Sequence, residues 1–148
     1  MIKSILVPTD GSSHARKAIE YASDLALKYN ATLHLLHVMA ESNIPEGLDE
    51  YIKVERIKDP TERVLLEKVG DAILEAGQNL AKERGVKNVK PALLMGDPSQ
   101  RILEFAKDNG VDAIVMGSRG LGEIKRLFMG SVSGKVCNLA ECTCITVK

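Results

Sequence analysis

Glycine stands at 117, 120, 122, 130 and 134 near the end of the chain, and Ser131 and Ser133 follow the fourth. Glycine leaves main-chain N–H groups uncovered and lets another molecule approach the backbone closely. Ser131 and Ser133 add hydroxyl donors. Arg119, Lys125, Arg126 and Lys135 outnumber Glu123 within residues 116–135. Uncovered donors, hydroxyls and local positive charge together suit an anion, and phosphate above all. Two familiar phosphate loops do not fit. A Walker A loop requires G-x4-G-K-[ST], whereas Gly130, Gly134 and Lys135 are one residue too close and Val136 replaces the hydroxyl. A Rossmann fingerprint requires G-x-G-x2-G after the first strand; here Gly120 and Gly122 lead to Lys125, late in the chain.

Other reactive side chains form no comparable set. His34 and His37 are three apart, so on a strand they point to opposite faces and do not chelate one ion. His14 falls in a first helical turn, as a bystander. Cys137, Cys142 and Cys144 have the spacing C-x4-C-x-C, which lacks a fourth zinc ligand. Their odd number argues against a disulfide framework, and they are expected to be small buried apolar residues. No Ser–His–Asp geometry follows from spacing.

The elements that must position the glycines are legible as an alternation. Residues 3–8, KSILVP, form a short apolar run suited to a strand buried on both faces. Ser12 or Ser13 caps a helix whose apolar residues, Ala15, Ala18, Ile19, Ala22, Leu25, Ala26 and Tyr29, recur at three and four. Residues 31–39 read as a second strand. Residues 41–67 are highly charged and broken by Pro45, Gly47 and Pro60, which predicts a solvated, mobile segment with an irregular helical turn. A long helix from about Thr61 carries Leu65, Val69, Ile73, Ala76 and Leu80 as its apolar stripe and closes at Gly85. Residues 86–96 hold a third strand. Asp97, Pro98 and Gly110 mark the cap, first residue and end of the next helix. Residues 111–117 form a fourth strand, Ser131 to Ala140 a last helix, and residues 142–148 a fifth strand with Ile145 and Val147 on one face.

Strands alternating with helices predict an α/β fold: a doubly wound, five-stranded parallel sheet of flavodoxin/Rossmann-like type with helices on both faces. Ligands in such folds bind outside the carboxyl ends of the strands, where the strand order reverses. The loops after strands one (PTDG, 8–11) and four (GSRG, 117–120) are expected to meet there.

Length and composition fit one domain over 1–148, 45% hydrophobic and 27% charged. Lys and Arg total 20 and so do Asp and Glu. Without a global field, no nucleic-acid or anionic-membrane partner is expected. No apolar run is long enough to span a membrane. The N-terminus lacks a signal-like stretch, so a cytoplasmic location is expected.

The spacing G-x2-G-x9-G-[ST], as Gly117, Gly120, Gly130 and Ser131, resembles the nucleotide-binding signature of the universal stress protein family. ILVPTDGS resembles that family's opening strand and loop, GDP follows a long second helix, and DAIVMGSRGLG resembles its fourth strand and loop. The resemblance covers the whole chain and implies an adenine nucleotide alpha-hydrolase-like fold. It implies ATP as the ligand, since the complete glycine pattern matches the family's ATP-binding branch. By position, Gly130, Ser131, Val132 and Ser133 would serve the phosphates, with Arg119 beside them. Gly117 and Gly120 would let the backbone turn sharply. Pro8, Thr9 and Asp10 would line the ribose and adenine side, Asp10 with a possible Mg2+. Val38 would touch adenine and Met116 would border the pocket. Apolar residues between Gly120 and Gly130 (Leu121, Ile124, Leu127, Phe128 and Met129) would form a short turn over the phosphates. Ser131 would also cap the final helix. The resemblance further implies a homodimer through the C-terminal strand and a nucleotide-dependent switch in the stress response, read by an unknown protein partner. A slow ATPase and a dimeric adaptor that binds no nucleotide stay open as alternatives.

Overall fold

The structure, a computed structural model, describes residues 1–40, 60–120 and 129–148. Along the chain run β1 (Ser4–Pro8), α1 (Ser13–Tyr29), β2 (Thr32–Met39), α2 (Pro60–Glu83), β3 (Val89–Met95), α3 (Pro98–Asp108), β4 (Ala113–Gly117), α4 (Ser131–Leu139) and β5 (Thr143–Val147). The five strands form one parallel sheet in the order β3-β2-β1-β4-β5. This is the expected α/β arrangement, with the order reversing between β1 and β4.

The sheet is buried because both faces are covered. Ile5, Leu6 and Val7 of β1 are fully buried, so successive side chains on opposite faces each meet a core. On one face, Ile5, Val7, Leu33, Leu35 and Val115 pack with Ala18, Ile19 and Ala22 of α1 and Leu74 and Ala81 of α2. On the other, Leu6, Leu36, Ile114 and Met116 pack with Ile102 and Ala106 of α3 and Val136 of α4. β3 and β5 are the edges. Pro91 sits inside β3, where an edge strand tolerates a missing N–H.

Helix ends follow their capping chemistry. Ser12 caps α1, its Oγ accepting from Ala15 N at 3.1 Å. Asp97 caps α3 in the same way, its carboxylate accepting from Gln100 N at 2.9 Å. α1, α2 and α3 all close with a left-handed or positive-φ residue (Asn30, Gly85 and Gly110) followed by an N–H that reaches back five residues, as in Val86 to Ala81.

The face that α2 buries differs from the expected stripe. Leu65 and Val69 are 58% and 56% exposed, while Gly70, Leu74, Gly77 and Ala81 turn inward. A Cβ at Gly70 would stand 2.6 Å from Leu93 Cδ1, and one at Gly77 would stand 3.2 Å from Ile19 and Leu35. The helix approaches the sheet along its smallest residues, and glycine adds nothing to a hydrophobic pattern. Most of the charged segment expected over 41–67, and all of the apolar turn expected between Gly120 and Gly130 except Met129, lie outside the described residues.

Candidate functional site

The crevice is built from the ends of β1 and β4. β1 ends at Pro8, paired with Leu36 of β2. Thr9 continues the ladder, its N–H donating to Leu36 O at 2.8 Å, and it is 6% exposed. His37 Nδ1 lies 2.8 Å from Thr9 O, which fixes the carbonyl and places His37 on the α1–α2 face. His34 is on the other face, edge-on to Phe105 at 5.7 Å. Burial, then the charge of Lys90, lowers its pKa. The two histidines do point apart, as strand alternation requires. Asp10 Oδ1 accepts from Ser12 N at 2.9 Å, which turns the chain from β1 into α1.

The β4 loop closes tightly against this turn. A Cβ at Gly117 would stand 2.8 Å from the carbonyl carbon and the Cβ of His14, and one at Gly120 would overlap the Asp10 carboxylate. Neither residue is among the positive-φ glycines (11, 85, 96 and 110). These two glycines therefore supply space for the β1–α1 turn, where a sharp backbone turn had been expected. Met116 is 4% exposed and belongs to the second core, while Val38 is half-buried, two residues beyond the partner of Pro8.

Ser118, which the sequence did not single out, joins the loop to α4. Its N–H donates to Val147 O at 2.9 Å, and its carbonyl accepts from Gly130 N at 2.6 Å and from Ser133 Oγ at 3.0 Å. The Ser133 hydroxyl also reaches Gly130 O at 3.2 Å. It is thus engaged by the protein's own carbonyls. A buried serine beside a loop glycine carries no sequence signal of its own.

Gly130 caps α4, with φ −67° and ψ 160° and no side-chain hydrogen bond. Ser131, expected as a cap, is instead the first helical residue and is exposed. The first helical N–H groups, from Ser131, Val132 and Ser133, have no acceptor within the helix; Gly134 N, bonded to Gly130 O at 2.9 Å, begins the ladder. A capping glycine offers no side-chain acceptor to those donors at the positive end of the helix dipole.

Among the described residues no three His, Cys, Asp or Glu side chains could hold a metal ion by themselves. No described helix is long and apolar enough to cross a membrane. Two grooves are seen, the first of which starts at the Thr9 turn beside the crevice. One, of about 330 Å³, runs between α1 and α2 from Thr9 to Leu80. The other, of about 400 Å³, lies between Leu103 and Leu139 at the amino ends of β4 and β5.

The model of the universal stress protein family matches residues 1–148. Universal stress protein YxiE of Bacillus subtilis is 36% identical over 149 aligned positions, covering all of both chains. Universal stress protein MJ0577 of Methanocaldococcus jannaschii is 30% identical, covering 100% of this chain and 96% of that one. Its solved structure matches with a TM-score of 0.81. A universal stress protein solved in complex with cAMP shares the fold at 23% identity and a TM-score of 0.73, covering 99% of this chain and 97% of that one.

Proposed function

The chain belongs to the universal stress protein family, and from that premise we propose that it binds an adenine nucleotide, ATP in the first instance, between the β1 and β4 loops. The observation that carries the proposal is the start of α4. Three main-chain N–H groups leave the helix at Ser131, Val132 and Ser133, behind a cap with no side chain. Phosphate is the anion such a terminus holds best. Gly117 and Gly120 bring the β1–α1 turn and the β4 loop together, and in the proposed complex Pro8, Thr9 and Asp10 line the sugar and base side. Val38 supplies apolar surface for adenine, Met116 borders the pocket from within the core, and Arg119 offsets phosphate charge. That a protein of this fold is seen with cAMP agrees with an adenine ligand.

Mg2+ fits as part of the nucleotide rather than as a resident ion. Asp10 offers one carboxylate, and Mg2+ is commonly held by one or two carboxylates together with phosphate oxygens. Bound in this way, the metal would neutralise phosphate charge. We take the function to be a nucleotide-dependent switch in a cytoplasmic stress response: occupied and empty states differ around Ser118–Gly120 and Gly130, and a partner protein reads the difference.

Calorimetric titration with ATP and magnesium tests the proposal. Saturable binding is expected, and the absence of both heat and a thermal shift at millimolar nucleotide would refute it. Gly130→Asp separates binding from folding. Aspartate is a good cap at the observed φ and ψ, so α4 keeps its start. Its carboxylate opposes phosphate, so affinity should fall about tenfold or more, roughly 1.4 kcal/mol.

A further inference from the structure

We propose that His37 is a positioning residue of the crevice: its Nδ1–H takes the Thr9 carbonyl and so keeps the Val38 N–H for the base of a nucleotide. This role rests on the proposed nucleotide site. Along β2 the main-chain groups alternate in direction. Thr32 N donates toward β1, to Lys3 O at 2.9 Å, and Leu33 N toward β3, to Asn88 O at 2.9 Å. Val38, six residues beyond Thr32, therefore aims its N–H to the β1 side. The β1–β2 register ends at Pro8 and Leu36. Thr9 N still donates to Leu36 O at 2.8 Å, and the next rung of a parallel ladder would run from Val38 N to Thr9 O. Among the described residues that rung is not formed. The Thr9 carbonyl instead meets His37 Nδ1 at 2.8 Å.

A carbonyl oxygen only accepts, so Nδ1 carries a proton, and the neutral ring is the Nδ1–H tautomer. Packing holds the ring in place. A Cβ at Gly70 would stand 3.1 Å from His37 Cδ2, so α2 makes room for the imidazole by having no side chain there. Thr9 is 6% exposed, and a buried carbonyl needs a donor. With His37 supplying it, the Val38 N–H is left without that acceptor, facing the place where β1 has ended. A main-chain donor there suits a ring nitrogen of the base. Without the imidazole, the nearest donor in the ladder geometry is Val38 N itself. The rung would close and the crevice would lose the N–H.

Two measurements on the nucleotide-free chain test the bond. Nitrogen-15 imidazole spectra should place the proton of neutral His37 on Nδ1; a proton on Nε2 would overturn the proposal. Amide hydrogen exchange at Val38 should slow in His37→Leu, as the rung closes, and stay at the parent rate in His37→Asn, whose amide nitrogen can replace Nδ1. Unchanged or faster exchange in His37→Leu would overturn it. Calorimetric titration with ATP and magnesium then tests the role, with thermal melts showing that both variants are folded. His37→Leu should weaken binding about tenfold, the worth of one hydrogen bond, and His37→Asn should stay within about threefold of the parent. Equal affinity in His37→Leu and the parent, or equal losses in the two variants, would overturn the role alone. A parent chain that takes up no ATP would overturn the nucleotide site and this role together.

Discussion

A methyl group added at Gly117 would meet the backbone of His14 at 2.8 Å, inside the first turn of α1. Backbone cannot swing aside as a side-chain end can. Overpacking of this kind costs about 1–3 kcal/mol, so Gly117→Ala should lower stability by that amount in urea titration. The neighbouring Gly120 faces the Asp10 carboxylate instead. A methyl there displaces a side chain that the proposed site uses, so its first effect falls on nucleotide affinity. The spacing of these residues in the sequence pointed to the crevice, but the reason for them did not. Crowding by a turn a hundred residues earlier has no local signature, and Ser118, which fastens the loop to α4 and β5, looks like any loop serine.

At the scale of elements, caps were the most readable feature and buried faces the least. Asp97-Pro98 announced α3, and Asp97 does cap it. Hydrogen bonds from Gln100 N and then from the Ser99 hydroxyl hold the Asp97 carboxyl below its ordinary pKa. A lowered folded pKa means that the carboxylate stabilises the fold fully above the unfolded value. That contribution is lost as pH falls through the folded one. Loss of the α3 cap in Asp97→Ala should cost about 1 kcal/mol at neutral pH. Urea titrations should show the difference from the parent chain shrinking below about pH 4. The strands were legible because continuous apolar runs suit a sheet covered on both faces. α2 was misjudged because Leu65 and Val69 suggested a stripe, whereas Gly70 and Gly77 set the contact with the sheet. Side-chain hydrophobicity cannot report a helix that packs through the absence of side chains.

On the scale of the whole molecule, the order β3-β2-β1-β4-β5 leaves β5 as an edge. Unpaired edges invite strand addition, and a homodimer through β5 is our proposal for that edge. Val147 O accepts from Ser118 N on the β4 side. Strand alternation then aims the N–H of Thr146 toward the open edge. Thr146→Pro removes that donor without touching the β4 ladder. In sedimentation velocity the parent chain should run at twice its 16.1 kDa mass, and the variant should shift toward monomer at the same concentration. The parallel order also brings two loops, after β1 and β4, to one crevice beside the start of α4. That convergence is what the sequence could predict once the alternation of elements was recognised.

The most direct test follows backbone amide resonances while ATP and magnesium are added. The account predicts that the largest shifts fall on Ser131, Val132 and Ser133, with Thr9, Asp10 and residues 118–120 next. Shifts confined to Arg16 and to residues 73–83 of α2, on the walls of the groove between α1 and α2, or no shifts at millimolar nucleotide, would contradict it.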